Sequence, residues 1–447
     1  MVRGKFILLL VIVLFVSLFV GRFIPGISPK LPLFLSLGLA VAIVTFVKPD
    51  IGLMLLIFSM LLSPEIKLAE APGRDVVVRV DDLLLIIVSL TWLARMAINK
   101  ELGVLKSTPL NRPIGIYIFV CFISTGIGIF VGRVHPASGI FYLLKYTEYF
   151  LVFFMVVNNI ETKEQVVRYL FALLATGFLI SIYSASQIGK VARLSAPFEG
   201  AVGEPNTLGC YLLIIFALAI GISIYADSKR VRYLSRGIGA FSVLPFLYTL
   251  SRSSYMSFPP MYFALISLGK AKKWLTGALI AGVVFFAVLR PEVIVNRIKY
   301  TVTGEKSYSV MVFGTELDPS ASDRIRSWRG ALREWTGYPF LGTGVTGWKF
   351  VDGQYMRTLV ETGIVGIIAF FYLIFSILKH SLRIFRQTGD NLYKGLSLGL
   401  IAAFVGILFH AVTANSFIII RIMEPFWFLA GMVMAIPELE KKVGGIS

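Results

Sequence analysis

The sequence is poor in the side chains that most often carry metals, redox chemistry or covalent catalysis. Of 447 residues, two are cysteine and three are histidine. Cys121 and Cys210 both lie within apolar runs, which argues against a disulfide framework or a zinc site. His135, His380 and His410 are scattered, with no partners at metal-ligand spacing, so no metal and no cofactor is expected. There is no Walker loop, no dinucleotide fingerprint and no serine nucleophile elbow. Charge is also scarce. Asp, Glu, Lys and Arg make up 15% of the chain, against roughly 25% in soluble domains.

Hydrocarbon is what the chain has in excess. Hydrophobic residues reach 57%, including 36 Phe, and the mean hydropathy is +0.81. Such a composition excludes a disordered protein, a disulfide scaffold and a typical cytosolic enzyme, and points to a chain that folds in lipid. The net charge of +18 would suit nucleic acid in a soluble protein. In a membrane protein, excess Lys and Arg concentrates in cytoplasmic loops, so the bilayer is the expected partner and nucleic acid is not.

A helix needs about 20 apolar residues to cross the hydrocarbon core. Apolar segments at 6–22, 31–47, 51–63, 83–98, 114–132, 142–158, 166–186, 206–226, 274–290, 359–378, 394–414 and 417–436, with a shorter pair in 237–269, predict about 12–14 spans. The fold class expected is an all-α polytopic membrane protein with one large extracytoplasmic loop holding short amphipathic helices. Segment 6–22 follows Arg3 and Lys5 as a signal peptide would, but no small-x-small site precedes Pro25, so it reads as a retained helix. No internal repeat of the inverted-transporter kind is visible.

Basic stretches at Arg95–Arg112, Lys229–Arg236, Lys270–Lys273 and Lys379–Arg386 alternate with less basic connections. By the positive-inside rule both termini are cytoplasmic, while 187–205, the tip near Arg252 and the loop 291–358 face outward. The chain divides accordingly into N-terminal spans (1–186), a core with an arginine-bearing outer loop and hairpin (187–290), the large outer loop (291–358) and C-terminal spans (359–447). Segment 237–269 must go out and return on about 16 residues per leg, or about 25 Å. Pro259-Pro260 is expected to break the return leg. Its tip, Ser251-Arg252-Ser253-Ser254, should therefore stop short of the outer surface, leaving Arg252 sunk among helices.

An intramembrane arginine is costly and normally faces a partner or a water-filled cavity. Arg252 is the first candidate by that criterion, with snorkelling to the headgroups as the plain alternative. The outer segment Arg193 to Asn206 is the second: Pro205 and Asn206 suit a helix start, and a helix N-terminus with an arginine nearby is an anion site. An outer-loop arginine can equally be a solvated charge. Third, Ile325, Trp328, Leu332 and Trp335 are spaced as the apolar stripe of an interfacial helix, with Arg324 and Arg326 beside it. Gly337 to Gly344 reads as a series of tight turns. Asp352, just before the span that starts with Glu361, is a candidate general base or a plain loop carboxylate. Lys145 and Glu148 are spaced to pair at i,i+3, and Asp81 and Asp82 suit a helix N-terminus. Arginine's planar fork binds phosphate oxygens bidentately and stays charged, so Arg193, Arg252, Arg324 and Arg326 on one face of a membrane suit a lipid-linked diphosphate.

These stretches, in this order, resemble the O-antigen ligase and polymerase superfamily of bacterial membrane glycosyltransferases. The resemblance rests on Arg193–Asn206, Leu250-Ser251-Arg252-Ser253, the Arg324–Trp328–Pro339–Gly342–Gly344 run and Asp352–Tyr355–Glu361–Gly363–Gly366. It covers about the last 260 residues; the N-terminal spans match in hydropathy alone. It implies a GT-C-like fold in the bacterial inner membrane and an undecaprenyl-diphosphate-linked glycan donor held by arginines. An acceptor sugar hydroxyl would attack the anomeric carbon with inversion and without a metal. Arg193 and Arg252 match the family's two diphosphate-binding arginines, with Glu204, Asn206, Tyr355 and Glu361 as further contacts. In ligases the segment corresponding to 352–355 begins with an activating His; here it reads Asp352-Gly353-Gln354-Tyr355, so that assignment does not carry over. Asp at this place resembles exopolysaccharide-type polymerases, which extend a glycan, more than ligases, which pass it to lipid A core. A protein-glycosylating ligase and a lipid-linked glycan flippase stay open as alternatives.

Overall fold

A computed structural model describes residues 30–71, 74–98, 105–199, 203–289, 292, 294–296, 311–312, 315–316 and 319–444. The expected span 6–22 and residues 297–310 of the expected outer loop lie outside the described residues. The chain is an all-α polytopic membrane protein with two short antiparallel hairpins as appendages. Seven of the described helices are long and apolar enough to cross a membrane. Within the described residues the other expected segments are helical as well, but shorter or more polar.

The described residues fall into two compact units. One takes in the residues up to Ser59 and those from Glu65 to Leu105. It holds α1 (Lys30–Val47), most of α2 (Pro49–Leu62), strands β1 (Glu65–Ala71) and β2 (Arg74–Arg79), and α3 (Val80–Ile98). The strands pair antiparallel from Glu65 opposite Arg79, with a bulge between Lys67 and Ala69. Asp81 and Asp82 open α3 as expected, where carboxylates offset the unpaired N–H groups of the first turn. Arg79 adds an ion pair to Asp81 at 2.6 Å.

The second unit holds Met60–Pro64 and everything from Lys106 onward. It begins with α4 (Asn111–Phe130), α5 (Pro136–Asn159) and α6 (Lys163–Ser186). Pro136 stands in the first turn of α5, where its missing N–H costs nothing, and Thr162 with Gln165 forms a capping box on α6. Lys145 and Glu148 on α5 pair at 3.0 Å, as their spacing predicts. At the centre lies α7 (Pro205–Tyr225), buried along its whole apolar length. Its neighbour α13 (Asn391–His410) approaches so closely that a Cβ on Gly221 would lie 2.7 Å from the Gly395 carbonyl oxygen. Small residues at such contacts let two membrane helices gain dispersion energy without side chains between them.

Helices α8 (Lys229–Tyr248) and α9 (Arg252–Leu268) form the expected hairpin, with its tip at Thr249–Ser251. Two expectations need correction. Lys229–Arg236 is no loop but the first two turns of α8, which lengthens the outgoing leg. Pro259 and Pro260 do not break α9; proline's fixed φ is itself helical, so the cost is lost N–H donors rather than a forced turn. After α10 (Lys272–Leu289) and the two-residue strands β3 (Met311–Val312) and β4 (Thr315–Glu316) comes α11 (Pro319–Gly337), the expected amphipathic helix. Its Trp328 and Ala331 pack with Trp348, Val351, Met356 and Val360, while Leu332 is exposed.

Helix α12 (Gln354–Gln387) starts earlier than the hydropathy of 359–378 suggests and is interrupted at Gly363, whose φ of 65° and ψ of −164° are open only to glycine. The interruption frees backbone groups, and the turn series 338–344 takes them up. Thr343 and Gly344 donate to the carbonyls of Val360 and Glu361 at 2.9 Å, and Ile364 donates to Pro339 at 2.8 Å. The Ser124 hydroxyl lies 2.5 Å from the Leu341 carbonyl and 2.7 Å from that of Glu361. A Cβ on Gly363 would collide with the Phe340 carbonyl. Gly363→Ala is therefore expected to add at least about 1–3 kcal/mol of backbone strain beyond the clash; a wild-type melting temperature in detergent would contradict this reading of the break. Helix α14 (Ile420–Gly444) completes the unit.

Candidate functional site

The site grows from the hairpin tip. Helix α8 ends at Thr249, Leu250 adopts a left-handed φ of 51°, and Ser251 caps α9 by accepting from the Ser254 N–H. A leucine in that conformation is strained, so the tip must be held from outside. The Tyr255 hydroxyl donates to the Leu247 carbonyl. Arg193 donates from Nε to the Thr249 carbonyl at 3.3 Å and from Nη2 to the Leu250 carbonyl at 3.2 Å. Leu194 donates to the Tyr248 carbonyl. The segment that supplies Arg193 thus clamps the turn that leads into Arg252.

Arg252 is half-buried and is the first residue of α9. A cation at a helix N-terminus has the wrong sign for the helix dipole. The combination of helix N-terminus, dipole and guanidinium suits an anion beside it.

A chain of polar contacts lies under the tip. Ser251 Oγ donates to Asn206 Oδ1 at 2.6 Å, in the first turn of α7. Ser254 Oγ stands 2.8 Å from Ser251 Oγ and 3.3 Å from His410 Nε2, and His410 Nδ1 stands 2.7 Å from Ser416 Oγ. His410, fully buried, is the packed, hydrogen-bonded histidine its position in a span suggests. Thr413 donates to Ser253 Oγ at 2.7 Å, which ties the turn after α13 to the residue next to Arg252.

The same turn receives the segment carrying Asp352. Gln354 N–H donates to the Ala411 carbonyl at 2.8 Å, Asn415 Nδ2 to that of Val351 at 2.8 Å, and Phe417 N–H to Gln354 Oε1 at 3.2 Å. From the other side Trp328 Nε1 donates to the Asp352 carbonyl at 2.6 Å. The backbone of Asp352 is therefore fixed between α11 and the 411–415 turn, and its carboxyl is half-buried. Burial raises its pKa above the ordinary carboxylate value, with Arg324 pulling the other way and Asp323 adding to the rise. Arg324 is close enough to act electrostatically on both Asp352 and His410.

The remaining sequence-derived residues are spread more widely. Arg326 is turned outward on α11 and pairs with Asp323 at 3.4 Å, both exposed. Glu204 is exposed at the N-cap of α7, and its N–H donates to Glu199 Oε2 at 2.8 Å. The Tyr355 hydroxyl donates to the Leu408 carbonyl at 2.8 Å and its ring stacks on Phe371, a packing role between helices. Glu361 is buried and used up internally: Arg357 Nε lies 3.0 Å from Oε1, the Thr346 N–H donates to the same oxygen, and the Tyr146 hydroxyl donates to Oε2.

Two buried arginines escaped the sequence reading. Arg357 stands four residues before Glu361, a helical pairing distance that was readable. Arg421, 2% exposed, opens α14. It donates to the Pro197 carbonyl at 3.1 Å and lies 3.4 Å from Glu199. Glu199 also accepts from Ala196 and Glu204, and burial raises its pKa to about 7 against the pull of Arg421. This pair anchors the outer segment that carries Arg193. An ionisable residue at the edge of the apolar run 417–436 was the available signal.

No group of three His, Cys, Asp or Glu side chains gathers for a metal among the described residues. No curated protein matches the chain. A family model described as O-antigen ligase matches residues 237–371, which span Arg252, Arg324, Asp352 and the Arg357–Glu361 pair. The segment that builds the hairpin tip and the Asp352 shelf is thus similar to the O-antigen ligase family over about a third of the chain.

Proposed function

We propose that the protein transfers a glycan from undecaprenyl diphosphate to an acceptor sugar hydroxyl at the outer face of the bacterial cytoplasmic membrane. The observation that carries this reading is that Arg193 clamps the strained turn leading into Arg252, which Thr413 and Ser253 tie to the shelf that holds Asp352. Arg193, Arg252 and Arg324 hold the donor diphosphate, while the outward Arg326 meets it only at the periphery. Asp352 takes the proton of the acceptor hydroxyl as its oxygen bonds to the anomeric carbon. The bond from that carbon to the diphosphate oxygen breaks on the opposite face, inverting the centre. The arginines stabilise the charge that develops on the departing lipid diphosphate. The basic ends of α8 and α12 lie away from the tip, which supports an outward-facing site.

Within the superfamily we favour a polymerase, in which the acceptor is one more lipid-linked repeat unit. Asp352 stands where ligases carry the His that activates lipid A core, and a carboxylate of raised pKa serves the same task for a sugar hydroxyl.

Asp352→Asn tests the role of the carboxylate. Transfer is expected to be lost while binding of the lipid-linked donor stays at wild-type strength. In the wild type, the rate should fall as pH drops through a pKa above the usual carboxylate value, because the protonated acid cannot accept the proton. An active Asn variant, or a rate that holds level well below that pH, would return Asp352 to a purely structural role.

A further inference from the structure

At the end of the α8–α9 hairpin away from Arg252 there is a cationic patch for which the transfer reaction has no use. Arg236 lies two turns into α8 and is half-buried. Its guanidinium stacks 4.0 Å from the ring centroid of Trp274, in the first turn of α10, and lies 5.9 Å from that of Tyr233. Nε is buried without a hydrogen-bond partner, and no carboxylate pairs with the side chain among the described residues. Lys272 and Lys273 share the first turn with Trp274 and are exposed, and Lys270 precedes them with Nζ 4.6 Å over the Tyr225 ring.

A cation this far along a membrane helix normally has a counter-charge. Here the chain brings three lysines to it instead, so the counter-charge has to come from outside. The surface beside the patch says what kind of molecule brings it. Val231 and Leu234 on α8 and Ile280, Val283 and Phe285 on α10 are all exposed hydrocarbon. A ligand fitting both features carries a phosphate and long acyl chains. A zwitterionic headgroup fits poorly: its ammonium would meet a surface dominated by four cations, and one face of Trp274 is already covered by Arg236. We propose that the base of this hairpin binds the headgroup phosphate of an anionic phospholipid, with the acyl chains lying along α8 and α10.

The test uses the full chain in detergent, titrated with phosphatidylglycerol, with phosphatidylcholine of the same chains, or with inorganic phosphate, and followed by native mass spectrometry. Phosphatidylglycerol should bind at least about five-fold more tightly than phosphatidylcholine, the factor expected for each basic residue engaged near a headgroup. Arg236→Gln should lower that preference by about five-fold. Lys272→Gln with Lys273→Gln, at exposed positions that leave folding intact, should lower phosphatidylglycerol affinity by an order of magnitude or more. Equal binding of the two lipids, or wild-type preference in both variants, would overturn the proposal. Displacement of phosphatidylglycerol by inorganic phosphate alone would overturn the lipid assignment in favour of a soluble-anion site. None of these readouts involves glycosyl transfer, so they stand or fall separately from the enzymatic reading.

Discussion

Replacing Arg252 with lysine is expected to reduce glycosyl transfer by about 100-fold or more, with normal accumulation in the membrane. The magnitude is that of losing one preorganised donor aimed at charge developing in a transition state. Lysine keeps the charge but is a point donor on a flexible stem, whereas the guanidinium offers two parallel N–H groups to a diphosphate. The fold should tolerate the change. Arg252 is the first residue of α9, and the tip is held by Arg193, Leu194, Ser251 and Tyr255. The readout is turnover of purified Arg252→Lys against wild type at matched melting temperature. Wild-type turnover would remove Arg252 from the diphosphate site.

The second large effect is on stability. Arg357→Leu is expected to destabilise the protein by about 3–5 kcal/mol, because removing one partner of a buried ion pair strands the other charge. Arg357 is 7% exposed and Glu361 6%, so little water reaches the carboxylate to replace the lost donor. Glu361 also receives the Thr346 N–H and the Tyr146 hydroxyl, so the pair joins α12 to α5 and to the loop after the turn series. The double variant Arg357→Leu with Glu361→Leu removes both charges and should recover much of the loss. Thermal unfolding of the two variants in detergent decides the matter. A single variant that melts with the wild type would show that the pair carries no structural load.

Much of the fold was readable because a membrane helix announces itself by length and hydrocarbon alone. Helices α4 to α7, α13 and the two-legged hairpin follow directly from that signal. The boundaries that shifted are those where charge rides on helix: hydropathy cannot tell that Lys229–Arg236 is α8 rather than loop. Nor does it report the interruption at Gly363, since the residues on both sides are equally apolar and the stabilising carbonyl and N–H partners come from 339–344.

The site was partly legible. Arg193 and Arg252 stood out as cations in the wrong solvent, and Arg193 clamps the turn that leads into Arg252. That clamp is made on backbone carbonyls, a pattern no residue type records. Arg324 and Arg326, two apart on one helix, looked equivalent, yet helical geometry turns Arg324 towards Asp352 and His410 and Arg326 towards solvent. Glu361 read as a substrate contact because its partners Tyr146, Thr346 and Arg357 lie on three separate segments, and long-range pairing has no signature in one sequence.

The most direct test of the central claim is to mix the purified protein with an undecaprenyl-diphosphate-linked repeat unit and no other acceptor, then resolve the products by gel and mass spectrometry. A ladder of repeats still attached to the lipid diphosphate is the expected result. No ladder, but transfer once lipid A core is supplied, would contradict the polymerase assignment and make the protein a ligase that works without the loop histidine. Intact donor under both conditions would contradict the transferase reading itself.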